Sequence, residues 1–294
     1  MKRRNFLSHV GWTGAGIAYA MTTGGVARAA AADPDAVPLF VQISDSHIGF
    51  HQAANPDVVA TLAATVDAIN ALPEQPQFVV HTGDVTHLAK PEQFDTAKQI
   101  LGRLKAPVVV LPGEHDALGG GTKNFRSIFP PKSGTEGWFS WDGQGVHYVV
   151  LVNVDDFAGE SMGVLGNQQL AWLEGDLKNV PRSRPVVVFA HVPLYALYPE
   201  WGWTTADGSK ALAMLAPFDH ATVLNGHVHQ VIEHVEGNIR FASANSTAYP
   251  QPAPGAAPKP GPLTLAHDQL LHVIGYRTVE LKRGNAAVRN VTLE

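Results

Sequence analysis

From Pro38 onward, short uninterrupted apolar runs alternate with longer stretches in which apolar residues recur every three or four positions. The runs at 39–43, 78–80, 108–111, 146–152, 186–190 and 222–224 are rich in Val, Ile, Leu and Phe and read as strands buried on both faces. Between them, 57–72, 92–105, 167–179 and 209–215 read as helices. In the second of these, Phe94, Ala97, Ile100, Leu101 and Leu104 share one helical face and predict packing on a sheet. Strand and helix in alternation predict a layered α/β domain. Beyond residue 230 the pattern changes. Segments 231–235, 239–242, 273–281 and 286–293 read as antiparallel strands of a second sheet, joined by turns such as Lys282-Arg283-Gly284-Asn285. Between them, Pro250, Pro252, Pro254, Pro258, Pro260 and Pro262 exclude helix and central strand and predict a loop or lid.

The first 32 residues do not follow this pattern. Lys2-Arg3-Arg4-Asn5-Phe6-Leu7 precedes a weakly apolar stretch and the small-residue sequence Ala27-Arg28-Ala29, so 1–32 reads as a targeting segment and 33–294 as one domain. Arg3-Arg4 before Phe6-Leu7 resembles a twin-arginine export signal, which implies a periplasmic or secreted protein exported already folded. Gly14, Gly16, Thr22, Thr23, Gly24 and Gly25 interrupt the apolar stretch and argue against a stable membrane span. Loss of Lys2, Arg3, Arg4 and Arg28 takes the net charge from −5 to −9. With no basic block elsewhere, that charge argues against a nucleic-acid duplex as partner. The chain has no cysteine, which excludes disulfides, thiolate ligands and thiol nucleophiles, but it has 14 histidines.

Five polar motifs each follow a predicted strand: Asp45-Ser46-His47, Gly83-Asp84, Gly113-Glu114-His115-Asp116, His191, and Gly226-His227-Val228-His229. An aspartate after a strand is commonly a turn or cap, and a lone histidine is commonly packing. Five such motifs at one sheet edge, where ligands bind in open α/β sheets, predict a shared crevice instead. Imidazole and carboxylate without thiolate suit Mn, Fe, Zn or Co, and seven donors exceed the needs of one ion. They fit two ions sharing a carboxylate, as in two-metal hydrolysis.

In order and spacing, these motifs resemble the calcineurin-like metallophosphoesterases, whose pattern is Asp-x-His, Gly-Asp, Gly-Asn-His-Asp/Glu, His and Gly-His-x-His. The resemblance runs from Asp45 to His229. It implies the metallo-dependent phosphatase fold, a four-layer αββα sandwich of two mixed sheets flanked by helices. It also implies two divalent or mixed-valence ions (Fe, Mn or Zn) and hydrolysis of a small-molecule phosphate ester, a phosphodiester above all, by a hydroxide shared between the ions. By position, Asp45, His47 and His229 hold one ion, Asp84 bridges, and Glu114, His191 and His227 hold the other. His115 then supplies a catalytic imidazole, with Asp116 either orienting it or capping a helix.

Glu114 departs from the pattern, which has Asn. A carboxylate adds a negative charge and, when ionised, donates no hydrogen bond. The change is expected to tighten metal binding and to favour singly charged diesters over monoesters. The alternatives are a phosphomonoesterase, or a metal-binding protein with altered or no chemistry. Tyr195, Tyr198, Trp201 and Trp203 either wall the crevice or pack their loop to the body, and Asn245-Ser246-Thr247 are expected to approach the metals. His51, His81 and His87 fall outside the ligand pattern and are assigned to local structure. No Gly-x-x-x-x-Gly-Lys-Ser/Thr phosphate loop is present.

Overall fold

The computed structural model describes residues 39–294 except 120, 156–162 and 283–284, together with an isolated antiparallel pair, Met21–Thr22 and Gly25–Val26. The rest of residues 1–32, read above as a targeting segment, lies outside the described residues.

Three parallel strands, β1 (Phe40–Ile43), β2 (Val79–His81) and β3 (Val108–Val110), form one sheet, with α1 (Val58–Asn70) and α2 (Pro91–Leu101) as the crossovers. Asp57 caps α1 by accepting from the Ala60 amide at 2.9 Å. Pro91 starts α2, where its missing N–H costs nothing. The predicted face of α2 is the buried one: Phe94, Ala97, Ile100 and Leu101 join Val58, Leu62, Val66 and Ile69 of α1 over this sheet. The helix is shorter than its pattern and stops before Gly102, while Leu104 still packs on the same core from the following turn.

The second sheet holds β4 (Phe139–Gly143), β5 (Val146–Val150), β6 (Val186–Ala190), β7 (Ala221–Asn225), β8 (Glu233–Glu236) and β9 (Ile239–Ser243), in the order β8-β9-β7-β6-β5-β4. Helices α4 (Gly166–Leu177) and α5 (Gly208–Leu215) cover its outer face through Leu170, Leu173, Ala211 and Leu215, and a short α3 (Lys123–Ile128) follows β3. The inner faces of the two sheets meet over Phe40, Phe78, Val80, Tyr148, Val150, Phe189 and Leu224. Phe40 stacks on Phe78 at 5.0 Å and meets Phe189 edge-on at 5.4 Å. The result is the expected four-layer αββα sandwich.

The C-terminal strands do not make a sheet of their own. β8 and β9 extend the second sheet, with β9 parallel to β7, whereas β10 (Gly275–Lys282) and β11 (Asn285–Thr292) extend the first, with β10 antiparallel to β1. The proline-rich segment is a loop, as predicted, tied at its base by Leu263 N to Pro250 O at 2.9 Å. The five-residue helix α6 (His267–Leu271) precedes β10.

Candidate metal centre

The chain turns out of each parallel strand at the same edge of the sandwich. Main-chain bonds from Asp45 N to Gly83 O (2.9 Å), His47 N to Asp84 O (2.9 Å) and Gly226 N to His191 O (3.1 Å) lock these loops together. Asp45, His47, Asp84, His227 and His229 all have positive φ, between 44° and 64°. Non-glycine residues rarely adopt this region, and it costs on the order of 1–3 kcal/mol each. Such strain persists only where the surroundings over-determine it.

The motif glycines are demanded by close approach. A Cβ on Gly113 would collide with the Asp84 carboxylate and amide, and one on Gly226 would collide with Ser44 Oγ and lie 2.7 Å from Asp45 Oδ2.

Among the donor groups whose ligand atoms lie within 4.8 Å of one another, two are the expected sets, Asp45, His47 and His229, and Glu114, His191 and His227; others join Asp84 to Asp45 and His191, and His87 and His115 to His47. In the first, His47 Nε2 lies 3.1 Å from His229 Nε2, which is 3.3 Å from Asp45 Oδ1. In the second, Glu114 spans His191 Nε2 at 2.6 Å and His227 Nδ1 at 2.8 Å. Asp84 Oδ2 stands between the groups, 3.5 Å from His47 Nε2 and 3.6 Å from His191 Nε2.

The surroundings aim these rings. His191 Nδ1 donates to Thr82 O and His229 Nδ1 to Tyr249 O, both at 2.6 Å, which leaves each Nε2 lone pair facing inward. Glu114 Oε2, His191 Nε2 and His227 Nδ1 are buried without hydrogen-bond partners, close as they are to one another. Orphaned donor atoms converging in this way, on nitrogen and carboxylate oxygen alone, fit divalent metal ions.

The electrostatics divide the set: burial opposes protonation of His191, but the Asp84 and Glu114 carboxylates outweigh it and raise His191 well above the usual imidazole value, so an ion there displaces a proton from its ring. Burial opposes ionisation of Asp45 and Glu114, yet neighbouring imidazoles prevail: His229 and His191 hold Asp45 below the usual carboxylate range, and His227 and His191 hold Glu114 well below it. Burial, with His115, His229 and His87 nearby, holds His47 far below the usual imidazole value, so its ring is a neutral donor.

His115 lies at the crevice, half-buried. Burial pulls its pKa down, but the Asp84 and Glu114 carboxylates and the His87 carbonyl outweigh this and raise it, favouring the protonated ring. Its Nδ1 donates to His87 O at 2.7 Å, so Nε2 is the free nitrogen. Asp116 does not hold that ring. Its carboxylate accepts from Val85 N (2.9 Å), Gly113 N (3.0 Å), Thr86 N and Thr86 Oγ1 (both 2.8 Å), clamping the loop after β3 to the loop after β2. Burial and the nearby Asp84 charge push Asp116 up to about 7, against the pull of those donors.

The aromatic expectation divides. Trp201 and Trp203 are buried against Val228, and Tyr195 stacks on His234, so these residues pack their loop to the body. Trp203 also meets His227 edge-on at 6.5 Å, and Tyr249 lies against the other group, 5.0 Å from His47 and 4.8 Å from His229. The Asn245-Ser246-Thr247 segment meets the main chain of the Asp45 loop: Ser246 Oγ donates to Asp45 O at 2.6 Å and Thr247 N to Ser44 O at 3.0 Å. His51 bonds locally to Pro56 O, and His81, pushed down to about 4 mainly by burial, pairs with Ser46 Oγ at 2.8 Å. His87 lies against the crevice, its ring touching both His47 and His115. Its one sequence signal was its place three residues after Asp84, in a loop already counted as part of the crevice.

Residues 38–231 match the family model for calcineurin-like phosphoesterases. The chain is 31% identical over 236 residues to the glycerophosphodiester phosphodiesterase GpdQ of Enterobacter lignolyticus, covering 73% of this chain and 79% of that protein. It is 25% identical over 217 residues to a 3',5'-cyclic-nucleotide phosphodiesterase of Nostoc, covering 71% and 77% respectively. Among solved structures, a dimetal phosphatase from Danio rerio superposes with a TM-score of 0.62 at 13% identity, over 87% of this chain and all of that one, a likeness of fold. Sequence motifs, fold and family model agree, and the chain belongs to the calcineurin-like phosphoesterases, metal-dependent hydrolases of phosphate esters.

Proposed function

We propose that this chain is an exported phosphodiesterase acting on small, singly charged phosphate diesters. The observation that carries the proposal is the placement of Asp84 Oδ2, 3.5 Å from His47 Nε2 and 3.6 Å from His191 Nε2, between two donor groups. Asp45, His47 and His229 would hold one ion and Glu114, His191 and His227 the other, with Asp84 shared between them. Iron, manganese and zinc suit this donor set. When bound, two such ions lower the pKa of a shared water towards neutrality and withdraw charge from the phosphoryl oxygens. The chain's own residues do the rest. His115, with Nδ1 anchored on the His87 carbonyl, presents Nε2 to the reactants and delivers its proton to the departing oxygen.

The names of the relatives, phosphodiesterases of glycerophosphodiesters and of cyclic nucleotides, support a diester as substrate. Glu114 supports it independently. With Asp45 and Asp84 it brings three negative charges to two divalent cations, one more than Asn would leave, and so brings the site closer to neutral. A dianionic monoester gains least from a site so nearly neutral.

Glu114→Asn restores a neutral amide. It is expected to shift the ratio of diester to monoester hydrolysis towards the monoester by roughly 10-fold or more. An unchanged ratio with unchanged metal content would refute the charge argument. Export is tested by the N-terminus of the mature protein: a start within 29–33 is expected, and a start at Met1 would contradict it.

A further inference from the structure

Of the four imidazoles assigned to the ions, His47, His191 and His229 are each braced from behind, whereas neither ring nitrogen of His227 has a hydrogen-bond partner. His191 and His229 rest on main-chain carbonyls, of Thr82 and Tyr249. His47 rests on a side chain: its Nδ1 lies 3.4 Å from His87 Nδ1. The same His87 ring stacks on His115, with centroids 4.9 Å apart and planes inclined by 19°, while its backbone carbonyl takes the His115 Nδ1 proton at 2.7 Å. Phe50, itself buried, meets the ring edge-on at 5.3 Å. The loop beneath is fixed independently, through Thr86 on Asp116, Leu88 N on Gln93 Oε1 (2.9 Å) and Ala89 N on Thr86 Oγ1 (3.2 Å).

The chemistry of the contact sets the tautomers. If His47 presents its Nε2 lone pair to an ion, its proton resides on Nδ1, and an Nδ1 to Nδ1 hydrogen bond then requires His87 Nδ1 to accept. His87 therefore keeps its own proton on Nε2.

We infer that His87 is a positioning residue joining the two halves of the reaction centre: its ring nitrogen orients the metal ligand His47, and its ring face and carbonyl orient the proton donor His115. The inference rests on the metal-site assignment proposed above, and its two contacts can be broken separately. His87→Phe keeps a flat ring against His115 and removes the acceptor for His47. His87→Asn keeps an acceptor close to where Nδ1 lies and removes the stacked ring. Both keep the backbone carbonyl.

The test measures two quantities for the parent and both variants: the dissociation constant for Mn(II), by competition with a chelating dye, and kcat at saturating Mn(II) for an aryl and an alkyl diester of one series. For His87→Phe, Mn(II) binding is expected to weaken by about 10-fold or more, with kcat recovering at saturation. For His87→Asn, Mn(II) affinity is expected to match the parent. Its kcat should fall roughly 10-fold on the alkyl ester, whose poor leaving group needs a well-placed acid, and little on the aryl ester. Parent-like values for both variants, or parallel losses of both quantities in both variants, would overturn the inference; the latter would make His87 a general packing residue. A parent that binds Mn(II) but hydrolyses neither ester would instead refute the proposed function, while the metal-binding comparison would still decide the His87–His47 contact.

Discussion

Gly226 provides the sharpest test of how tightly the crevice is built. In Gly226→Ala, the new methyl group would overlap Ser44 Oγ, stand 2.7 Å from Asp45 Oδ2 and lie 3.0 Å from Thr82 O. Two of these neighbours cannot yield cheaply. Thr82 O belongs to the backbone and also accepts from His191 Nδ1, and both Asp45 carboxylate oxygens accept from His227 N, at 3.1 and 3.2 Å. Relief requires the 226–229 loop to retreat by several tenths of an ångström, which takes His227 and His229 away from their partners. Overpacking of this kind costs about 1–3 kcal/mol, a loss of roughly 2–12 °C in Tm for a domain of this size. The same substitution at Gly175 is the control. That residue sits in α4 with open space around its Cβ direction, and alanine there should stabilise by about 0.5–1 kcal/mol. Differential scanning calorimetry combined with metal analysis by mass spectrometry reads both effects. Gly226→Ala should melt earlier and purify with fewer than two ions, and Gly175→Ala should melt no earlier than the parent with its metal unchanged. Parent-like Tm and stoichiometry in Gly226→Ala would show that the crevice is looser than these distances require.

Metal removal should destabilise the fold itself, because Asp45, Asp84 and Glu114 crowd three carboxylates into a site where their side chains are at most 14% exposed. Ions at 100 times their dissociation constant contribute about 2.7 kcal/mol, so exhaustive chelation should lower Tm and Mn(II) should restore it; a Tm unaffected by verified metal loss would contradict the assignment. Far from the crevice, His147 bridges Asp142 (2.8 Å) and Asp176 (2.9 Å), tying the β4–β5 hairpin to α4. Burial opposes protonation of His147, but hydrogen bonds to Asp176 and Asp142 prevail and raise its pKa above 6.5. Its stabilising contribution is therefore complete below the unfolded value of about 6.5 and is lost as pH rises through the folded value. Asp142, lowered chiefly by its bond to His147, contributes above its usual value near 3.8 and loses that contribution on acidification. In urea denaturation, the stability difference between the parent and His147→Gln should be larger at pH 6 than at pH 9, and equal differences at the two values would refute the pairing.

The division between sequence and structure follows from the range of the forces involved. Strand and helix identity is local: the apolar run at 186–190 and the helical face of Phe94, Ala97, Ile100 and Leu101 declare themselves by period, and the structure keeps both. The candidate ligands stood out for a related reason, since each sits where the chain must turn out of a parallel strand and Gly113 and Gly226 mark where backbones come close. Partner choice was not legible. Nothing in the alternation of 239–243 or 275–282 says that the first lies parallel to β7 and the second antiparallel to β1, because pairing depends on which edge each strand reaches after its crossover. The roles of Asp116 and His87 were hidden similarly. Asp116 stands beside His115 in sequence, but its carboxylate turns away to serve Val85, Thr86 and Gly113. His87 stands 28 residues from His115, and only the pairing of β2 with β3 lays its carbonyl 2.7 Å from that ring. The sequence by itself determined which residues could bind metal; the meeting of two sheets decided which of their atoms converge on one centre and which side chains hold them there.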